Sequence, residues 1–82
     1  MKASVEMSMY PLDPAYGNVI LAFLQRLRAY PELEIRTNTM STQVFGEFDD
    51  LVRIVNQEMK QTFEEEEAVV MVMKWANLDL RS

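Results

Sequence analysis

The sequence predicts an α+β fold, with a four-stranded antiparallel sheet and two helices packed on one of its faces. Three observations carry that expectation. Apolar residues recur at every second position in four segments and at three- and four-residue spacing in two others. The segments run in the order strand, helix, strand, strand, helix, strand. The chain has 82 residues, which suits one domain spanning 1–82.

Lys2 to Tyr10 alternates, with Ala3, Val5, Met7 and Met9 apolar and Lys2, Ser4, Glu6 and Ser8 polar, as a half-buried strand does. Pro11-Leu12-Asp13-Pro14 ends it. Asp13 suits an N-cap, and Pro14 suits the first helical position, where its missing N–H costs nothing. From Pro14 to about Ala29 the period changes. Tyr16, Ile20, Phe23, Leu24 and Leu27 make one helical stripe, and Pro31 stops the helix. Leu33, Ile35 and Thr37 alternate with Glu32, Glu34 and Arg36 in a second strand.

The third strand reads straight into a helix start. Met40, Thr42, Val44 and Gly46 share one face, and Ser41, Gln43, Phe45 and Glu47 the other. Gly46 lets a neighbouring helix or backbone come close. Asp49 or Asp50 then caps a helix from about Asp49 to Phe63. Its inner stripe is Leu51, Val52, Val55, Met59, Thr62 and Phe63. Glu64 to Glu67 opposes the helix dipole, so the helix should fray or end there. The run reads as a solvated charged turn rather than a cation site. Ala68 to Ala76 is the last strand, with Val69, Met71, Met73 and Trp75 on one face and Val70, Val72 and Lys74 on the other. Residues 77–82 form a short tail. With right-handed crossovers this order gives the ferredoxin-like βαββαβ sandwich. Its expected core includes Phe23, Leu27, Val44, Val55 and Met71.

Composition narrows the chemistry. There is no cysteine and no histidine, which removes thiolate chemistry, the usual neutral-pH base and the commonest zinc ligand. The net charge of −5 repels phosphate backbones, so nucleic acid is not an expected partner. No stretch approaches the ~20 apolar residues of a membrane span, and the alternating start does not resemble a signal peptide, so a cytoplasmic protein is expected. No metal or cofactor is expected. No pair of carboxylates is singled out by spacing, and the acidic 11–13 loop lacks the arginine that acylphosphatase-like chemistry on this fold needs, so no enzyme activity is expected.

A small domain buries only about 60–65% of its unfolded surface and gains from self-association. The sheet face away from the helices carries Ser4, Glu6, Ser8, Tyr10, Ser41, Gln43, Phe45, Val70, Val72 and Lys74. Phe45, Val70 and Val72 make it apolar enough to be an interface, and a second copy is the simplest partner.

The segments Val5–Leu12, Leu33–Thr37 and Met40–Asp49 resemble those of the YkoF-like thiamine-binding family. The resemblance covers nearly the whole chain. It implies a ferredoxin-like fold, dimers or tetramers, and binding of thiamine or its hydroxymethylpyrimidine part without catalysis. Ser41 stands where glycine is often expected, which narrows a pocket near the hairpin. An aminopyrimidine needs acceptors, a donor and an apolar wall. The first strand supplies Glu6, Ser8 and Tyr10, and the turn supplies Thr37, Asn38, Thr39, Ser41 and Thr42. Tyr16 and Trp75 are candidate ring faces. A plainer reading stays open beside this one: a polar turn without ligand, Trp75 as a core anchor, Glu6 as a surface or interface residue, and a self-assembling module that binds nothing.

Overall fold

The computed structural model describes residues 1–12 and 16–81. Six elements follow in the expected order: β1 (Lys2–Pro11), α1 (Tyr16–Arg28), β2 (Glu34–Thr37), β3 (Thr42–Glu47), α2 (Phe48–Glu65) and β4 (Val69–Ala76). The strands form one sheet in the order β2-β3-β1-β4, with every neighbouring pair antiparallel. This is the ferredoxin-like fold. Asp13 and Pro14, expected to start the first helix, lie outside the described residues.

Registers fix the two faces. Ala3, Val5 and Met7 of β1 and Val44 of β3 meet Phe23, Leu24 and Leu27 of α1 and Leu51, Ile54 and Val55 of α2 in the buried core. Phe23, Leu27, Val44 and Val55 are where the periodicity puts them. Met71 is only half-buried, because β4 is an edge strand at the rim of the helix layer. Gly46 also meets expectation. A Cβ there would sit 3.0 Å from Leu33 Cδ2 and 3.2 Å from the Glu32 carbonyl, so side-chain bulk is what the site excludes.

Helix α2 departs from the sequence reading in three ways. It starts at Phe48 with Glu47 as N-cap and no side-chain cap bond, so Asp49 and Asp50 lie in its first turn instead of capping it. There their charge still favours the helix N-terminus. The helix runs on through Glu64 and Glu65, past the expected end at Phe63. Gln61 Nε2 donates to Glu65 Oε1 at 2.9 Å, and the Glu66 N–H bonds the Thr62 carbonyl at 3.0 Å. Its buried stripe is Leu51, Ile54, Val55, Glu58 and Thr62, while Phe63 is exposed and Val52 half-buried.

Glu58 is 4% exposed, which for a carboxylate demands partners. Arg26 Nε donates to its Oε1 at 2.7 Å, and the Tyr30 hydroxyl donates to its Oε2 at 2.7 Å. Arg26 Nη2 also donates to the Glu58 carbonyl at 3.2 Å and to Thr62 Oγ1 at 2.6 Å. One guanidinium thus bolts α1 to α2. The same carboxylate raises the Tyr30 hydroxyl above its ordinary pKa, chiefly through the hydrogen bond that ionisation would break.

Residues 77–81 fold back across the open sheet face. Ser4 Oγ donates to the Leu78 carbonyl at 2.7 Å and accepts from the Leu80 N–H at 2.9 Å. Arg81 bonds Asp79 at 2.6 Å and Glu34 at 3.4 Å, and its guanidinium lies 5.7 Å from the centre of the Phe45 ring. Arg36 lies 5.4 Å from that centre. Phe45 is therefore only 3% exposed. The expectation that it offers an apolar surface to a second copy is corrected: the chain's own tail segment covers it, with arginines providing cation–π contact. Val70 and Val72 remain 48% and 52% exposed on that face, beside exposed Tyr10.

Candidate functional site

The β2–β3 connection is a tight turn built by one side chain. Asn38 Oδ1 accepts from the Met40 N–H at 2.7 Å and the Ser41 N–H at 2.9 Å, and the Asn38 N–H bonds the Ser41 carbonyl at 3.1 Å. An asparagine side chain that mimics a backbone turn in this way fixes the loop cheaply. Ser8 Oγ donates to the Met40 carbonyl at 3.3 Å, which ties the turn to β1. Pairing of β1 with β3 ends at Met7↔Thr42, while pairing with β4 runs on to Pro11↔Val69. The two strands part there, and a cleft of about 250 Å³ opens between the turn, the end of β1 and α1.

Its composition suits a small heteroaromatic ligand. Met7, Met9, Ile20, Phe23 and Leu24 give an apolar wall. Ser8, Tyr10 and residues 37–42 give hydroxyls, amides and backbone groups around it. Of the residues expected from sequence, Ser8, Tyr10, Asn38, Thr39, Ser41 and Thr42 come together here. The apolar wall went unread, because the same helical stripe also builds the core. Asn38 has its side-chain oxygen committed to the turn, so its role is to shape the loop.

Glu6 does not line the cleft. It faces the open side of the sheet and reaches the turn only through Ser41, whose Oγ donates to Glu6 Oε2 at 3.1 Å. Lys74, directly across the β1–β4 ladder, bonds Glu6 Oε1 at 3.1 Å. The lysine bond first, and the Ser41 hydroxyl next, hold the Glu6 carboxyl below its ordinary pKa, so it is ionised at neutral pH. Trp75 is not a cleft wall and is not a core anchor. It is 39% exposed near the far end of β4, edge-on to Phe48 with ring centres 6.1 Å apart. Nothing in the structure bears on the Tyr16 side chain, which lies outside the described residues. Among the described residues, no three acidic side chains gather to hold a metal ion, and no helix is long and apolar enough to cross a membrane.

No family model and no curated protein matches the chain. Solved structures do match it. The chain is similar to protein SP2199 of Streptococcus pneumoniae, with 26% identity, a TM-score of 0.86, and coverage of 98% of this chain and 90% of that one. It is similar to TM0486 of Thermotoga maritima, provisionally described as a thiamine biosynthesis/salvage protein, with 16% identity, a TM-score of 0.80, and coverage of 99% and 85%. It is also similar to a domain of unknown function, DUF77, from Bacillus cereus, with 17% identity, a TM-score of 0.76, and coverage of 98% and 79%. These likenesses establish the fold over nearly the full length of the chain.

Proposed function

We propose that the chain binds a small aminopyrimidine, thiamine or its hydroxymethylpyrimidine part, in the cleft beside the 38–41 turn. It does so without catalysis, in the cytoplasm, as a homo-oligomer. The observation that carries the reading is the cleft itself, where an apolar wall of Met7, Met9 and Phe23 faces a rim of neutral hydrogen-bonding groups within about 250 Å³. Pockets for drug-sized ligands run to roughly 300–1,000 Å³, so the pyrimidine ring is the part this cleft suits. The description of the Thermotoga maritima neighbour supports the same ligand class. Neutral donors and acceptors select by hydrogen-bond direction, and a ligand without the matching amine leaves them unpaired.

Calorimetry with thiamine and with hydroxymethylpyrimidine tests the reading. Both should give saturable heat at millimolar concentration or below. Thr42→Val keeps the shape and removes one hydroxyl, so binding should weaken by about 0.5–1.5 kcal/mol, up to roughly tenfold. No heat with either ligand sinks the binding reading. Binding that Thr42→Val and Ser41→Ala both leave unchanged moves the site elsewhere.

One observation favours a second reading, a self-assembling module with no ligand. Tyr10 lies across the β1–β4 ladder from Val70, Val72 follows on the same face of β4, and all three stay exposed, an apolar surface of the kind that marks interfaces. Sedimentation at micromolar concentration should show an oligomer, and Val72→Glu should shift it toward monomer by placing an unpaired charge in the contact. A stable wild-type monomer removes the assembly from both readings.

A further inference from the structure

The open sheet face holds a second hollow of about 250 Å³, separate from the cleft. Two cross-strand rows build its floor. One is Phe45–Ser4–Ala76, and the next is Gln43–Glu6–Lys74. Ser4 and Ala76 are small, so the first row sinks between the Phe45 ring and the edge of β4. Leu80, carried over the sheet by the pinned 77–81 segment, closes one side. The hollow is thus apolar at one end and ends in a carboxylate at the other.

That carboxylate is oriented and charged. Glu6 accepts from Ser41 on one oxygen and from the Lys74 ammonium on the other, with Gln43 as a further donor. Ser41 stands in the turn just before β3, and Gln43 on β3 itself, inside the sheet. Lys74 is different. Its side chain is 79% exposed on an edge strand, and its ammonium is held at 3.1 Å by this one carboxylate. A bond between a solvated lysine and a partly exposed glutamate is worth little and exchanges easily. The lysine also stands alone: it is the one charged residue of β4.

We propose that this hollow is a binding site for a small primary ammonium with a short apolar body, and that the Lys74 ammonium is the internal stand-in such a ligand displaces. The ligand's ammonium takes the place of Lys74 on Glu6 Oε1 and donates hydrogen bonds as the lysine does. Its apolar body lies toward Leu80, Ala76 and the edge of Phe45. The released lysine loses little, because it returns to water. A primary ammonium fits better than a quaternary one, since only the first can donate to the carboxylate. The net charge of −5 favours a cation over an anion.

The probe is n-butylammonium, titrated into the full chain and followed by amide NMR, with n-butanol and tetramethylammonium as controls. Saturable shifts are expected at Glu6, Gln43, Lys74 and Ala76, with Thr39 and Thr42 of the cleft unmoved. Lys74→Met and Lys74→Gln remove the stand-in and should tighten butylammonium by about two- to fivefold. A loss of fold cannot mimic tighter binding. Glu6→Gln should weaken it by about tenfold or more. Butanol should give no saturable shift, and tetramethylammonium should bind more weakly than butylammonium. Equal response to butanol, weaker binding in both Lys74 variants, or no shift at all overturns the site. Because the cleft is tested through Thr42 and this hollow through Lys74, either assignment can fail alone.

Discussion

Arg26→Met cuts the bolt between the helices and keeps most of the apolar stem. The variant removes three donated bonds, to Glu58 Oε1, the Glu58 carbonyl and Thr62 Oγ1. It leaves the Glu58 carboxylate, whose side chain is 6% exposed, with Tyr30 as its remaining donor. Breaking a buried pair by removing one partner costs about 3–5 kcal/mol. Tyr30 still donates, and the Arg26 side chain is 22% exposed, so we expect about 2–4 kcal/mol here. A chain of 82 residues has a total stability of roughly 4–12 kcal/mol. The variant should therefore melt about 10–30 °C lower by circular dichroism. Arg26→Met combined with Glu58→Leu removes both charges and should recover most of the loss, because an apolar pair of similar volume tolerates burial. A single-variant loss below about 1 kcal/mol would refute the bolt. So would a double variant as unstable as the single one, since the stranded carboxylate would then not be the cause.

Phe23→Ala empties the centre of the core and should cost about 3–5 kcal/mol in urea unfolding; a loss under about 1 kcal/mol would mean that the ring is not packed there. Asp79 is held down to about 2 by its bonds to Arg81, so the folded chain keeps this carboxylate ionised where the unfolded chain protonates it near 3.8. The contribution is present in full above pH 3.8 and is lost as pH falls through about 2, so amide NMR should show residues 77–81 still pinned at pH 4 and released near pH 2.

Period and order made the fold legible. Ala3, Val5 and Met7 alternate cleanly because β1 is central and one of its faces is buried against the helices. The misses have local causes. A polar residue at 58 breaks the apolar stripe, and nothing in the pattern says that Arg26 and Tyr30, about thirty positions earlier, satisfy it. Phe45 alternates onto the open face as expected, but its cover comes from residues 77–81, a tail whose folding back is fixed by contacts to Ser4, Glu34 and Phe45 far away in sequence. The cleft's polar rim was readable because turn residues cluster in sequence. Its apolar wall was not, since Phe23 and Leu24 serve core and cleft at once. Lys74 was visible as the sole charge on its strand, but only the Glu6↔Lys74 register gives it a partner.

The strand order carries a consequence for biosynthesis. Of the four strands of this sheet, the one made first ends up in the middle, and one of its two neighbours is the one made fourth, with Ser4 aligned on Ala76. Until Val69–Ala76 leaves the ribosome, the nascent chain holds β1, which carries the apolar Val5, Met7 and Met9, with one edge bare. Bare edges template foreign strands. Contacts this far apart in sequence also close late. A chain halted before residue 69 is thus the form most exposed to aggregation, and the one where a chaperone would have most to cover.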